Sequence, residues 1–166
     1  NPRESGSTVP AAGTYTVVVG EPFSISARPN TGWHFDEWTV VSGSVSFADP
    51  LSASTTLTVN DAGVPMVYAS MSINKYTVTF TTDGTPGGYL DAGGSTLTQT
   101  VSYGNDSDPI TAYSTIGVSF LYWTEHGMLY DSDAATVVAK NVTRDMTLVA
   151  HFALSAQTTA LSLRSR

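Results

Sequence analysis

The sequence predicts a β-rich fold, either all-β or α+β with little or no helix, that is built from two tandem repeats. Threonine, serine, valine, glycine and tyrosine are abundant in a chain of 166 residues of which only 13% are charged, and this composition favours strands. Apolar and polar residues alternate over short segments, and no segment keeps a 3.6-residue period. The repeat follows from a motif that occurs twice, Gly-x-x-Phe-x-x-Trp.

The two copies of this motif begin at Gly32 and Gly117, and an alanine precedes each glycine by five residues. Glycine can end a turn with backbone angles that other residues rarely adopt, so the aromatic residues after it can enter a buried strand. Because a tryptophan buries more surface than its neighbours, we predict that the motif aromatics form the structural core of each repeat. These residues are Phe35, Trp38, Phe120 and Trp123.

In the first repeat, residues 1–13 are rich in proline, serine and glycine and are predicted to be a loop. Six later segments are rich in alternating or β-branched residues, and turns containing glycine, asparagine or proline separate most of them. Strands are therefore predicted over residues 14–19, 23–27, 35–41, 44–47, 55–59 and 66–71.

The second repeat follows the same order with one extra strand in front, residues 76–80, and a glycine-rich excursion after it. Residues 96–103 then correspond to 14–19, and Gly104 corresponds to Gly20. The strand at 110–112, the strand that carries Trp123 and the strand at 148–150 complete the correspondence, and at most one helical turn is expected, near 132–135.

We therefore divide the chain into three parts. Residues 1–72 form a first repeat that lacks its own first strand, residues 73–152 form the second repeat, and residues 153–166 form a C-terminal tail. Each repeat is close to the lower size limit for a core that is stable without disulfides or bound metal ions. The chain has no cysteine, so disulfides and thiolate metal sites are excluded.

The second repeat resembles the internalin B-repeat family in three places: the Gly-x-x-Phe-x-x-Trp core, Tyr103-Gly104 before it, and the closing segment 141–152. The first repeat is similar to the divergent form of that family, through the Ala-x-Pro-x-x-Gly pattern that starts at Ala27. The resemblance implies two β-grasp-like modules in tandem on an exported or cell-surface protein, without a catalytic role. The sequence departs from the family pattern in the missing first strand and in having no cell-wall sorting signal.

Charge and hydropathy exclude two classes of partner. The net charge of −7 and the pI near 4.6 offer no basic surface to a nucleic acid. No apolar run reaches the roughly 20 residues that cross a bilayer, so we expect no transmembrane segment in these residues. The chain begins without methionine, which fits an export product or a fragment. We expect an extracellular or cell-surface location.

The sequence does not predict an enzyme, a cofactor or a metal site. The three histidines, His34, His126 and His151, are widely spaced, and no H-x-x-x-H, H-E-x-x-H or G-x-S-x-G motif occurs. The acidic pairs Asp106/Asp108 and Asp131/Asp133 provide too few oxygen ligands for a calcium loop. Aspartate and serine near proline are common in turns, and we favour that interpretation.

Two Asn-x-Ser/Thr sequons, at Asn105 and Asn141, are candidate glycosylation sites in predicted turns. Tyr15, Tyr89 and Tyr113 would form a carbohydrate platform only if they shared one face.

These observations lead to a functional hypothesis: a non-enzymatic structural subunit or segment of a surface fibre or stalk. The alternative is an adhesin that binds a host protein or glycan on the cell surface.

The tail predicts how such subunits join. Leu161 follows Phe152 by nine residues, as Phe80 follows Met71, and the residues around Leu161 alternate as an opening strand would. We expect this strand to complete the first repeat of another copy by donor-strand addition, giving a head-to-tail homopolymer. A fragment of a longer repeat array would show the same pattern. The predicted joining strand is Thr159, Ala160, Leu161, Ser162 and Leu163.

Overall fold

The computed structural model describes residues 5–131, 134–155 and 162. The chain divides into two compact units, Asn1–Asn74 and Lys75–Arg166; the sequence predicts this boundary at residue 72. Strands dominate both units, and the second unit also contains the 3-10 turn Asp91–Gly93. The predicted all-β fold is confirmed. No described helix is long and apolar enough to cross a membrane.

The first unit contains two small sheets. One has the strand order β1-β2-β5-β4 and the other pairs β3 with β6, and all of these pairings are antiparallel. Its strands are β1 (Gly6–Val9), β2 (Pro22–Pro29), β3 (Trp33–Ser42), β4 (Val45–Phe47), β5 (Ser54–Val59) and β6 (Met66–Ile73). Its buried core consists of Ile25, Ala27, Trp38, Leu57 and Val59.

The second unit has a larger sheet of order β12-β11-β14-β7-β9 and a smaller one of order β13-β10-β8. In the larger sheet β14 is central, and β7 runs parallel to β14 and antiparallel to β9. The strands are β7 (Lys75–Thr82), β8 (Gly88–Leu90), β9 (Thr96–Ser102), β10 (Ile110–Ser114), β11 (Val118–Glu125), β12 (Met128–Asp131), β13 (Thr136–Val137) and β14 (Met146–Leu154).

The two motif tryptophans occupy the same place in their own units. Trp38 is 5% exposed and Trp123 is fully buried. Each indole Nε1 donates a 3.1 Å hydrogen bond to a backbone carbonyl, that of Ser52 in the first unit and that of Ala135 in the second. The partly buried motif phenylalanines pack beside them, with ring centroids 5.6 Å apart for Phe35–Trp38 and 6.0 Å apart for Phe120–Trp123.

Strand pairing establishes which other residues correspond. Trp38 lies opposite Ala69 as Trp123 lies opposite Ala150, so β6 is the counterpart of β14. Ala27 in β2 pairs with β1, and Ala112 in β10 pairs with β8. The short strands β1 and β8 are therefore counterparts too.

Both short strands contain a glycine that a larger residue cannot replace without displacing its neighbours. A Cβ on Gly6 would lie 2.7 Å from the Met71 sulfur, and one on Gly88 would lie 2.6 Å from the Phe152 ring. Met71 and Phe152 are counterparts, because they pair with Phe35 and Phe120 respectively. The repeat is thus preserved in packing as well as in strand order.

Two sequence-based predictions of secondary structure are wrong, those for residues 1–13 and for residues 14–19. Residues 1–13 are not all loop, because β1 lies within them, and the glycine-rich excursion after β7 contains β8 and the 3-10 turn. Residues 14–19 do not form a strand. Of the helical turn expected near 132–135, residues 132 and 133 lie outside the described part, and residues 134 and 135 are not helical.

The failure at residues 14–19 has a physical cause. The corresponding strand of the second unit, β9, is at the edge of the sheet, and β7 is the one strand that pairs with it within the described residues. No counterpart of β7 lies in the described part of the first unit. β-branched residues favour a strand only where a neighbouring strand is available for pairing.

The burial of Trp123 predicts that Trp123→Ala lowers the free energy of unfolding of the second unit by about 3–5 kcal/mol. The substitution removes a fully buried indole and leaves a cavity among aromatic side chains. Chemical denaturation followed by near-ultraviolet circular dichroism would measure the loss. Trp33→Ala, which removes a partly exposed indole from the first unit, is the control and should leave the unfolding of the second unit unchanged. A loss below 1 kcal/mol for Trp123→Ala would contradict the assignment of Trp123 as the core anchor.

Candidate functional site

The candidate site is the free edge of β6 in the first unit. In the second unit β14 lies between β11 and β7, so both of its edges are paired. Its counterpart β6 pairs with β3 on one side and with no other strand in the described part of the chain. Backbone donors and acceptors on an unpaired edge are available to a further strand.

The residues of β6 that face the core are incompletely covered. Val67, Ala69 and Met71 are only partly buried and pack against the core of the first unit. Their counterparts in β14 are better shielded: Leu148 and Ala150 are fully buried, and Phe152 is 6% exposed. The residues at these three positions therefore face the core in both units. Among the described residues, only the second unit has a further strand that shields them from solvent.

The cover in the second unit comes from two residues of β7, Val78 and Phe80, which are both fully buried. The Phe80 ring meets the Trp123 ring edge to face, with the centroids 6.3 Å apart and an interplanar angle of 87°. In the first unit Trp38 contacts Phe35 and Phe47. No described residue of the first unit takes the place of Phe80.

The surface around the free edge is apolar. Val64 is 84% exposed, Met66 58% and Tyr68 51%. Neither β6 nor residues 14–18 contain a charged side chain. Proteins often protect exposed sheet edges with charged residues, and the absence of charge here leaves the edge compatible with an apolar strand.

Residues 14–18 precede Gly20 as the last part of β9 precedes Gly104. Their counterparts in β9 pair with the far side of β7. None of their backbone N–H groups donates to a backbone carbonyl among the described residues. Val17 nevertheless packs on the core of the first unit, as its counterpart Val101 does in the second. The segment lies along its core without the pairing that would make it a strand.

Polar groups stabilise the last residues of β6. The Asp36 carboxylate accepts hydrogen bonds from the hydroxyls of Ser72 (2.7 Å) and Ser70 (3.4 Å). His34 Nε2 lies 3.2 Å from the same carboxylate, and His34 Nδ1 lies 2.7 Å from Asn74 Oδ1. These contacts join β3 to the end of β6 and hold the edge strand on its paired side.

Most of the predicted joining strand lies outside the described residues: Thr159, Ala160, Leu161 and Leu163. Ser162 is described, and it is exposed and outside any strand. The pairing of this segment in another copy therefore stays a prediction.

The two sequon asparagines, Asn105 and Asn141, are both exposed and lie outside strands. Between them, the Asp106 carboxylate binds Lys140 Nζ at 2.8 Å and the backbone N–H of Asn141 at 2.9 Å. Both contacts hold the pKa of Asp106 below its ordinary value, and the contact with Lys140 has the larger effect. The carboxylate acts as a turn-stabilising group, as favoured from the sequence.

Within the described residues, no three histidine or acidic side chains converge on a point that could hold a metal ion. His126 is exposed beside Glu125. Tyr89 and Tyr113 stack across β8 and β10 with centroids 5.5 Å apart, whereas Tyr15 belongs to the first unit and contacts Phe23.

One chain of polar side-chain contacts, Asp83–His151–Thr124, was not predicted from the sequence. His151 Nε2 lies 2.8 Å from the Thr124 hydroxyl, and His151 Nδ1 lies 3.6 Å from Asp83. His151 stands between the buried residues Ala150 and Phe152 in β14, so its side chain points away from the core. Thr124 itself is only 6% exposed. The chain connects β11 and β14 to the turn after β7.

Asp83 also fixes the exit of β7 through the backbone. Its carboxylate accepts the N–H of Phe152 at 3.0 Å and that of Thr85 at 2.9 Å. Burial alone would raise the pKa of Asp83, but these backbone bonds, the Thr85 hydroxyl and the nearby His151 together hold the pKa below its ordinary value. The ionised carboxylate therefore stabilises the folded second unit.

Together, these features define a small β-rich repeat module in two versions, one that includes β7 and one in which no described strand takes the position of β7. The family model described as the divergent InlB B-repeat domain matches residues 1–83. The chain belongs to this family, whose repeats are typical of surface and extracellular proteins. The match runs past the first unit and through β7. No curated protein and no solved structure matches the chain.

The role of Asp83 predicts a specific pH dependence. Its folded pKa lies below the unfolded value, so its stabilising effect is complete above about pH 4 and is lost as the pH falls through the folded pKa. Asp83→Asn should lower the free energy of unfolding of the second unit at pH 7 by about 1–2 kcal/mol. The difference from the unmodified chain should shrink below pH 4. Denaturant titrations at pH 7, 5 and 3 would measure it.

Asp61→Asn is the matched control, since it makes the same change in net charge at an exposed residue of the first unit. It should leave the second unit's pH profile unchanged. Equal profiles for Asp83→Asn and the unmodified chain would show that the Asp83 carboxylate does not contribute to stability.

Proposed function

We propose that the chain is a non-enzymatic structural subunit of an extracellular fibre or stalk whose copies join head to tail by donor-strand addition. The observation that carries the proposal is the free edge of β6, where Val67, Ala69 and Met71 lack the cover that β7 provides in the second unit. Adding a strand to an exposed sheet edge is a recurrent mode of association, in which backbone bonds provide affinity and alternate side chains provide specificity.

The tail sequence supports residues 159–163 of another copy as the donor. Leu161 follows Phe152 by nine residues, and Phe80 follows Met71 by nine. Met71 and Phe152 are structural counterparts, so the equal spacing gives Leu161 the register of Phe80. Thr159, Leu161 and Leu163 then share one side of the strand.

The donor and the acceptor are different surfaces of the chain, so the contact is heterologous. A heterologous contact that does not close into a ring builds an open filament. Two leucines would be buried at each joint, and the burial of each would stabilise the joint by roughly 1.5–3 kcal/mol. Ladder hydrogen bonds add about 0.5–1.5 kcal/mol each. A joint of this kind suits a fibre that must persist outside the cell.

Deletion of residues 158–166 should abolish polymerisation and leave both units folded. The deletion removes the proposed donor strand, of which the structure describes Ser162 alone, exposed and outside any strand. Light scattering and negative-stain electron microscopy would follow assembly, and circular dichroism would verify folding. Filaments formed by the truncated chain would overturn the proposal, as would a full-length chain that stays monomeric at high concentration.

A pair of tail variants tests the side-chain pattern. Leu161→Asp combined with Leu163→Asp should prevent assembly, because both carboxylates would enter the core of the neighbouring copy. Ala160→Asp combined with Ser162→Asp adds the same charge on the other side of the strand and should still permit assembly. If instead the intact monomer binds a glycan or a host protein and does not assemble, the chain is an adhesin.

A further inference from the structure

We infer that an incoming strand does not simply extend the β6 edge, but inserts between β6 and residues 14–18 and converts those residues into a strand. This inference rests on the proposed function and concerns the same site. It also identifies a selectivity position, at which a large apolar side chain of the incoming strand lies against Trp38.

The first step is the pairing of β7 in the second unit. β7 is hydrogen-bonded on both sides, parallel to β14 through Met146–Ala150 and antiparallel to β9 from Lys75 to Thr81. β14 corresponds to β6. The occupant of the same position in the first unit therefore runs parallel to β6 and meets residues 14–18 on its other side.

The second step is that residues 14–18 are already aligned like β9. Both segments end in a glycine of positive φ, Gly20 (84°) and Gly104 (78°). Each glycine N–H donates to the carbonyl of a buried valine, Val59 at 2.9 Å and Val142 at 2.8 Å. Because the two exits match, Val17 and Val101 hold equivalent places.

The third step is that residues 14–18 have unused backbone donors. Their N–H groups have no backbone acceptor among the described residues, and each side chain apart from that of Val17 is exposed. An inserted strand would supply carbonyl acceptors along this segment. Pairing on two sides gives a strand about twice the number of ladder bonds that a strand at a sheet edge makes.

The fourth step defines the selectivity position. Phe80 pairs with Leu148 and lies against the edge of Trp123. The corresponding residues of the first unit are Val67 and Trp38. The incoming residue opposite Val67 must therefore be apolar and large enough to reach the indole, and Leu161 has this register in the tail of a second copy.

The experiment uses the full chain with the Leu161→Asp and Leu163→Asp substitutions, so that its own tail does not compete for the site. Two peptides serve as probes: the β7 sequence KYTVTFTT, flanked by lysines for solubility, and the same peptide with serine in place of the phenylalanine. Hydrogen exchange is measured for residues 14–18 and 66–71, and binding is followed by tryptophan fluorescence. A third peptide carries tail residues 158–164.

The phenylalanine peptide should slow exchange in both segments, and the serine peptide should bind at least about tenfold more weakly, as expected for the loss of one buried aromatic side chain. Tyr15→Pro combined with Thr16→Pro in the receptor should weaken binding, because proline removes backbone donors. The control is Ala11→Pro combined with Ala12→Pro, in the exposed residues before this segment. These substitutions should leave peptide binding unchanged.

Slowed exchange in residues 66–71 alone would overturn the insertion, and equal binding of the two β7 peptides would overturn the selectivity position. Failure of every peptide to bind would overturn both. If the β7 peptide binds but the tail peptide does not, the insertion stands and the proposed fibre joint is wrong. If filaments form through the tail while residues 14–18 stay unprotected, the fibre joint stands and the insertion is wrong.

Discussion

The two-sided pairing of β7 is the contact on which the difference between the two units depends. In the second unit, this one strand supplies Val78 and Phe80 to the core, pairs with β14 and is the one described strand that pairs with β9. In the described part of the first unit, where no such strand is present, five apolar residues are buried, compared with fourteen in the second. A module of this size is close to the limit at which a core remains stable, so one strand has a large effect.

The fold was largely predictable because its signals are local. The Gly-x-x-Phe-x-x-Trp motif indicated β3 and β11, and strict alternation indicated β2 and β7. β1 and β8 were missed because each is short and contains a glycine, which usually marks a turn. In this fold Gly6 and Gly88 are explained by close packing against Met71 and Phe152. That reason depends on residues more than 60 positions away and leaves no local pattern.

The candidate site was only partly predictable for a related reason. Comparison of the two repeats predicts a missing strand, since that inference needs only the order of segments. It does not predict which side chains are left exposed, because the exposure of Val67 or Met71 depends on the strands next to β6. Residues 14–19 illustrate the same difficulty, because their secondary structure also depends on a neighbouring strand. Their β-branched residues resemble those of β9, yet a strand requires a partner, and the partner is encoded elsewhere. The Asp83–His151–Thr124 chain likewise depends on three segments that are distant in sequence.

Insertion and edge addition would give fibres of different durability. A strand added to one edge is hydrogen-bonded along one side only, so it can dissociate progressively from one end. A strand inserted between β6 and residues 14–18 would be held by two ladders and by an anchor against Trp38, so its release requires both ladders to open together. Because each ladder bond contributes only about 0.5–1.5 kcal/mol, the second ladder and the buried anchor would decide whether a joint lasts. The selectivity position also bears on the order of assembly, since a strand without a large apolar residue opposite Val67 would leave Val67 and Ala69 only partly buried and would be displaced by a strand that covers them.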